Sequence, residues 1–253
     1  MANEQQFDEA DIRLITGDQG AGKTTITTAL PIDDIYANLT AIVNPKTGEY
    51  FRARALNEKE INLLLKRGIS YHPFNHIKVF SGHGDESKII AKPNNFIVDS
   101  PIRVFSNYHF YGIRFMYADL EKIITYINTP LMMNGWIVLD ESIMTDKRDT
   151  MTSVGKMMSW FGAQSRRRRI RMLIASQYAN MTQGRFVQFA KTKVWCSYDS
   201  ETHYVTLDVN KKSPVMNSTS FYAPDYWKFF KHDELVLIPQ AKVDKALGTI
   251  TGS

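Results

Sequence analysis

GDQGAGKT, residues 17 to 24, decides how the rest of the chain is read. It matches G-x-x-x-x-G-K-[ST], the pattern of a loop that wraps phosphates. The spacing has a physical reason. Gly17, Gly20 and Gly22 let the backbone turn so that its N–H groups point into one concavity. The run Gln19, Gly20, Ala21, Gly22, Lys23, Thr24 and Thr25 supplies those groups and opens a helix, whose positive N-terminal end adds to the pull on an anion. Lys23 is placed to reach the β and γ phosphates, and the Thr24 hydroxyl to ligate Mg²⁺. ATP and Mg²⁺ are therefore the expected cofactors. Upstream, Ile12 to Thr16 is a short apolar run, so the context is strand, loop, helix. The helix is expected to start near Lys23 and to end before Pro31.

Two further apolar runs end in polar residues. WIVLDE, residues 136 to 141, predicts a buried strand that delivers Asp140 to the C-terminal edge of a sheet, where open α/β folds bind ligands. Asp140 is expected to support the metal and Glu141 to polarise the attacking water. An acid directly after the metal aspartate suits an ATP-hydrolysing motor; a kinase activates a substrate hydroxyl elsewhere. The chain has no N-K-x-D run for guanine, which disfavours a GTPase. IASQ, residues 174 to 177, repeats the design. Gln177 would lie between the first two motifs if its strand neighbours the one ending in Asp140, and could orient water or sense the γ-phosphate.

Composition narrows the class. The chain has 253 residues, 43% hydrophobic and 23% charged, with a net charge of +5. These are globular values, against a disordered chain, a collagen-like fibre or a membrane-embedded bundle. Cys196 is the single cysteine, which excludes an internal disulfide and predicts a small core residue. The polar N-terminal stretch has no apolar leader, and no run reaches the roughly 18 to 20 apolar residues of a spanning helix. A soluble protein of a reducing compartment is expected. The positive excess concentrates in SRRRRIR, residues 165 to 171, which holds five arginines. That run is expected to put positive charge beside the nucleotide site, for a neighbouring subunit's phosphate or a nucleic-acid backbone; its alternative is a solvated face.

The remaining pattern reads as α/β. Leu39 to Val43 and Tyr50 to Arg54 flank the turn NPKTG and predict a hairpin. Asn57 and Glu60 form a capping box for a helix that should run to Gly68. Short strands are expected at Ile77 to Phe80, Phe96 to Val98, Ile102 to Ser106 and Met172 to Ala175. Helices are expected at Ala118 to Asn128 and from Val154 to about Arg168, with Met157, Met158, Trp160 and Phe161 inward. Val194 to Tyr198 and Tyr204 to Val209 predict a closing strand pair. An aromatic cluster (Phe221, Tyr222, Tyr226, Trp227, Phe229, Phe230) and a strand at Leu235 to Ile238 follow. One domain is expected over 1–253, with an insertion at about 44–100 and an extension at about 210–253. Strands alternating with helices predict a largely parallel sheet covered on both faces.

The order GDQGAGKT, WIVLDE, SRRRR, IASQ resembles the FtsK–HerA branch of P-loop ATPases, which includes DNA translocases, conjugative coupling proteins and viral genome-packaging ATPases. IRVFSNYHFYG, residues 102 to 112, and the order LDE, RRRR, SQ also look like the zonula-occludens-toxin-like ATPases of filamentous phages. The resemblance covers about residues 12 to 209 and is specific at the three motifs. It implies a RecA-like P-loop NTPase fold with catalytic Glu141 and Gln177. It places an arginine finger at Arg166, with Arg168 second. It implies a ring-shaped homo-oligomer, a hexamer or pentamer, that moves double-stranded DNA. A core of this size looks like a packaging ATPase, partnered by a capsid or membrane vertex protein, in the host cytoplasm or at the virion packaging vertex. Toxin-like relatives usually carry a spanning segment, which is not seen here. The alternatives are a toxin-like assembly or extrusion ATPase, a P-loop kinase, and an ATP-gated scaffold for virion morphogenesis.

Overall fold

The computed structural model describes residues 12–80, 87–91, 95–118, 120–126, 129–140, 164–165, 167–177, 190, 192–210 and 217–231. Residues 154–163 of the helix expected from Val154 to about Arg168, the strand at 235–238, Glu141 and Arg166 lie outside them.

The apolar runs form one large sheet. Its strands are β1 (Ile12–Thr16), β7 (Arg103–Ser106), β8 (Met116–Tyr117), β9 (Gly135–Leu139), β10 (Ile170–Ser176), β11 (Thr192–Tyr198), β12 (Tyr204–Asn210) and β13 (Asn217–Tyr222). Their spatial order is β13-β12-β11-β1-β10-β9-β7-β8. From β11 to β8 every pairing is parallel, while β12 and β13 return antiparallel. The fold is therefore the α/β architecture expected, with a largely parallel sheet. Successive side chains of the central strands enter two cores. Ile15, Val138 and Leu173 pack with helix α1 (Lys23–Ala37) on one face. Leu14, Ile137 and Met172 pack on the other with Ile123 of helix α3 (Leu120–Tyr126). Burial on both faces explains the unbroken apolar runs.

The chain leaves this sheet to build a second one. β2 (Ala41–Val43), β3 (Tyr50–Ala55), β4 (His76–Phe80), β5 (Ser87–Ala91) and β6 (Ile97–Asp99) are antiparallel throughout, in the order β5-β4-β3-β2-β6. Ile42, Ala53, Ile77 and Val98 of this sheet join the core that holds α1. Helix α2 (Glu58–Lys66) starts on the expected capping box of Asn57 and Glu60. Glu60 also accepts hydrogen bonds from Arg54 and Lys78, and the Arg54 bond above all holds its carboxyl down at about 2. Gly68, at φ +72, ends the turn after α2 as expected.

Four expectations need correction. α1 does not stop before Pro31 but runs through it to Ala37. A proline inside a helix costs about 3 kcal/mol. Ile32, Ile35 and Tyr36, all buried beyond it, recover about 1.5–3 kcal/mol each. α3 is shorter at its start than expected, beginning at Leu120 rather than Ala118. Strands β5 and β13 were not expected at all. β13 reads NSTSFY, with no apolar alternation, and forms because β12 offers it an edge to pair with. The arginine run also behaves differently. Arg171 sits on β10, stacks 4.6 Å over the Trp136 ring and donates to Asp34 at 2.6 Å. Trp136 Nε1 donates to the same carboxylate at 2.8 Å, so Asp34 ties α1 to two sheet strands.

Candidate functional site

Parallel strands bring their C-terminal ends to one edge, and three motifs meet there. β10 pairs with β1 on one side and β9 on the other, in register from Thr16 opposite Ser176 to Leu139 opposite Ile174. Gln177 therefore leaves the sheet between the glycine loop and Asp140. That is the position expected if the third strand neighbours the second.

The loop between β1 and α1 is held by contacts the glycines make possible. Gly20 and Gly22 have φ of +78 and +82, a left-handed backbone that a side chain resists. A Cβ on Gly22 would also lie 2.6 Å from Val205 Cγ2, and one on Gly17 would lie 2.5 Å from the Cys196 carbonyl oxygen. Gly17 is thus needed for close packing against β11 rather than for its turn. The Cys196 thiol donates to the Ala21 carbonyl at 2.9 Å, and burial pushes its pKa up to about 12. Cys196 is the core residue expected, and it also pins the loop from below. α1 follows Gly22 at its N-cap, with no side-chain cap and no acid in its first turn. Its first N–H groups and positive end are left for an anion.

The side chains follow the motif. Lys23 is buried, and its ammonium donates to the Gly17 and Asp18 carbonyls at 2.9 and 2.7 Å. The Thr24 hydroxyl donates to the Asp140 carboxylate. This one bond joins residues 116 apart in sequence and puts two hard oxygen ligands side by side. They suit Mg²⁺, which takes one or two protein oxygens and otherwise keeps water and phosphate. Among the described residues no cluster of three or more His, Cys, Asp or Glu side chains could hold a metal alone. A cleft of about 320 Å³ opens over these groups. Gln19 through Thr25, Asp140 and Gln177 are among the residues that line it.

Several residues that reading the chain in sequence missed complete the site. Asn107, directly after β7, clamps Asp140: its Nδ2 donates to the Asp140 carbonyl and its Oδ1 accepts from the Asp140 N–H, both at 2.8 Å. The Tyr108 hydroxyl hydrogen-bonds with Thr27 and Thr28 at 3.2 and 2.9 Å, joining the same segment to α1. A signal was available, since IRVFSN is again an apolar strand with a polar end. Tyr198, Trp227, Phe230 and Lys231 line the cleft from the far side of the chain, and no motif marks them.

Arg168 is not brought to this cleft. It precedes β10, at the opposite end of the strand from Gln177, and donates to the Thr129 carbonyl at 3.2 Å. The seven strand residues, six steps of about 3.3 Å, separate the two ends by about 20 Å. The arginine run therefore does not stand beside its own chain's nucleotide site, because parallel strands expose their starts and their ends on opposite edges.

No family model matches the chain, and no curated protein matches it. Among solved structures, the N-terminal domain of zonular occludens toxin from Neisseria meningitidis is similar at 12% identity, over 88% of this chain and 99% of that one, with a TM-score of 0.46. RadB recombinase is similar at 10% identity, over 84% and 87%, with a TM-score of 0.39. A KaiC-like protein from Pyrococcus horikoshii is similar at 11% identity, over 85% and 86%, with a TM-score of 0.41. At TM-scores this low they assign no function to this chain.

Proposed function

We propose that this chain is an ATP-hydrolysing motor that moves double-stranded DNA as a homo-oligomeric ring, of the viral genome-packaging type. The observation that carries the nucleotide half of this reading is the bond between Thr24 and Asp140 at the open N-terminus of α1. These two side chains would hold Mg²⁺. When bound, the metal draws negative charge from the phosphates. The chain's own residues do the rest. The loop N–H groups take phosphate oxygens, and Lys23 exchanges its two carbonyl partners for them. Glu141 follows Asp140 and accepts a proton from the attacking water. Gln177 orients that water. Asn107 holds the Asp140 backbone while the metal comes and goes.

The motor half rests on charge and on the arginine run. Arg166, with Arg168 second, completes a neighbour's site, and the position of Arg168 far from its own cleft favours action across a subunit boundary. Other basic residues contact DNA phosphates without reading bases, since a motor must accept any sequence. A capsid or membrane vertex protein anchors the ring, in the host cytoplasm or at the packaging vertex. Among the described residues no helix is long and apolar enough to cross a membrane.

Hydrolysis measured with and without double-stranded DNA, alongside native mass, tests both halves. The expected result is Mg²⁺-dependent turnover stimulated by DNA, at five or six times the protomer mass. Turnover that needs a small-molecule acceptor would make the protein a kinase. Slow turnover indifferent to DNA would retire the motor and leave an ATP-gated assembly protein.

A further inference from the structure

The cleft has two chemically different parts. One is the loop, with its N–H groups, Lys23, Thr24 and Asp140. The other is lined by Tyr198, Trp227, Phe230 and Lys231. Tyr198 ends β11, and Trp227 begins a short 3₁₀ turn, Trp227–Phe229, reached after β12 and β13. The meander brings them together, and His203 stands between them. The Tyr198 hydroxyl hydrogen-bonds with His203 Nδ1 at 2.8 Å, and the His203 ring meets the Trp227 ring edge-on at 5.9 Å. The Ala223 N–H donates to the His203 carbonyl at 2.9 Å and fixes the turn.

The rest of the aromatic cluster is anchorage. Phe229 packs edge-on against Tyr36 of α1 and against Phe74, and Tyr226 meets Phe74 and Phe221. The Tyr111 N–H donates to the Phe229 carbonyl at 2.8 Å. Phe230 and Phe229 are buried, whereas Tyr198 and Trp227 are half-buried and face the cleft. The cluster therefore splits into a core side and a wall. Core packing accounts for Tyr226 and Phe229. Tyr198 and Trp227 also rest against that core, but each leaves part of its surface on the lining of the cleft.

We infer that Tyr198 and Trp227 form the seat of the nucleobase, so that the nucleotide binds with its phosphates on the loop and its base stacked on this wall. The inference rests on the phosphate-loop reading above and adds to it the recognition of the base. Stacking needs only a π-face, which every base has. No acid stands among the described residues of this part of the cleft, and Lys231 adds positive charge. The site therefore selects by ring area: purine triphosphates bind alike and better than pyrimidine triphosphates.

Calorimetric titration of the full chain with Mg²⁺–ATP and with Mg²⁺–tripolyphosphate tests this, because the second ligand has phosphates and no base. The wild type is expected to bind both. Trp227→Ala should weaken ATP about five- to 150-fold, the range of base–aromatic stacking, and leave tripolyphosphate within about two-fold. Trp227→Phe should restore most of the loss, and Tyr198→Ala should repeat it, so a folding defect in one variant does not decide the matter. Equal weakening of both ligands in both alanine variants, or of neither, overturns the proposal. So does CTP binding as tightly as ATP. Binding of neither ligand by the wild type would instead remove the phosphate-loop reading, and the base seat with it.

Discussion

Asn107→Ala isolates the clamp on Asp140. Two hydrogen bonds are lost, each 2.8 Å long and each to a main-chain group of a buried residue. A typical bond contributes about 0.5–1.5 kcal/mol net, and a buried group left unpaired costs about 1–3 kcal/mol. The cleft lies close by, so water can reach one of the two freed groups. The expected loss of stability is therefore about 2–4 kcal/mol, read by urea unfolding. A second effect follows from geometry. Asp140 links β9 to the Thr24 hydroxyl, so a looser Asp140 should weaken Mg²⁺-dependent nucleotide binding more than Mg²⁺-free binding. Asn107→Asp sharpens the test. It keeps the acceptor for the Asp140 N–H but turns an oxygen towards the Asp140 carbonyl and adds a charge beside a carboxylate, so it should be no better than alanine. Unfolding within 0.5 kcal/mol of wild type, with unchanged Mg²⁺ dependence (the ordinary range for a surface substitution), would refute the clamp.

Other predictions follow from single contacts. Gly22→Ala should cost about 2–5 kcal/mol, from a left-handed backbone and a Cβ 2.6 Å from Val205 Cγ2. Combined with Val205→Ala, the costs should fall short of additive by about 1–3 kcal/mol in chemical unfolding; strict additivity would deny the contact. Burial raises the Asp33 carboxyl to about 7, against the Tyr226 hydroxyl that donates to it at 3.0 Å and with Asp225 and Asp34 nearby. The folded state then binds more protons than the unfolded one above about pH 4. As far as this group is concerned, stability should be highest below pH 4 and fall until about pH 7, by up to about 4 kcal/mol. Asp33→Asn should flatten that slope in melts across pH 4–8, and an unchanged slope would rule Asp33 out. Glu141→Gln should bind ATP and not hydrolyse it; normal turnover would sink its role. Arg166→Ala should bind ATP and hydrolyse it poorly, and mixing with Lys23→Ala subunits should restore part of the rate. No rescue would return the run to a solvated face.

The sheet's central strands were readable because burial on both faces forces continuous apolar runs, and a loop follows where such a run stops at glycine. The capping box of α2 was readable because its partners are three residues apart. The through-proline course of α1 was not. Its cost is local, while the burial of Ile32, Ile35 and Tyr36 that outweighs it is tertiary. β13 was unreadable for a similar reason, since its polar sequence becomes a strand only beside β12. The arginine run misled because it lies at the start of the strand that IASQ ends, and only the parallel pairing of β10 with β1 and β9 puts that start on the edge away from the loop. Arg171 moreover turns inward to Asp34.

By itself the sequence determined the loop chemistry of residues 17–24, the carboxylate at 140 and the amide at 177, because each is a motif whose parts are neighbours in the chain. The tertiary structure alone decided that Thr24 meets Asp140 and that Asn107 holds it. It also decided that Cys196 pins the loop and that Tyr198 and Trp227 face the same cleft. Those contacts join segments from about 30 to 175 residues apart. A parallel sheet with crossovers collects strand ends from the whole chain at one edge, and no local pattern records which ends will share it.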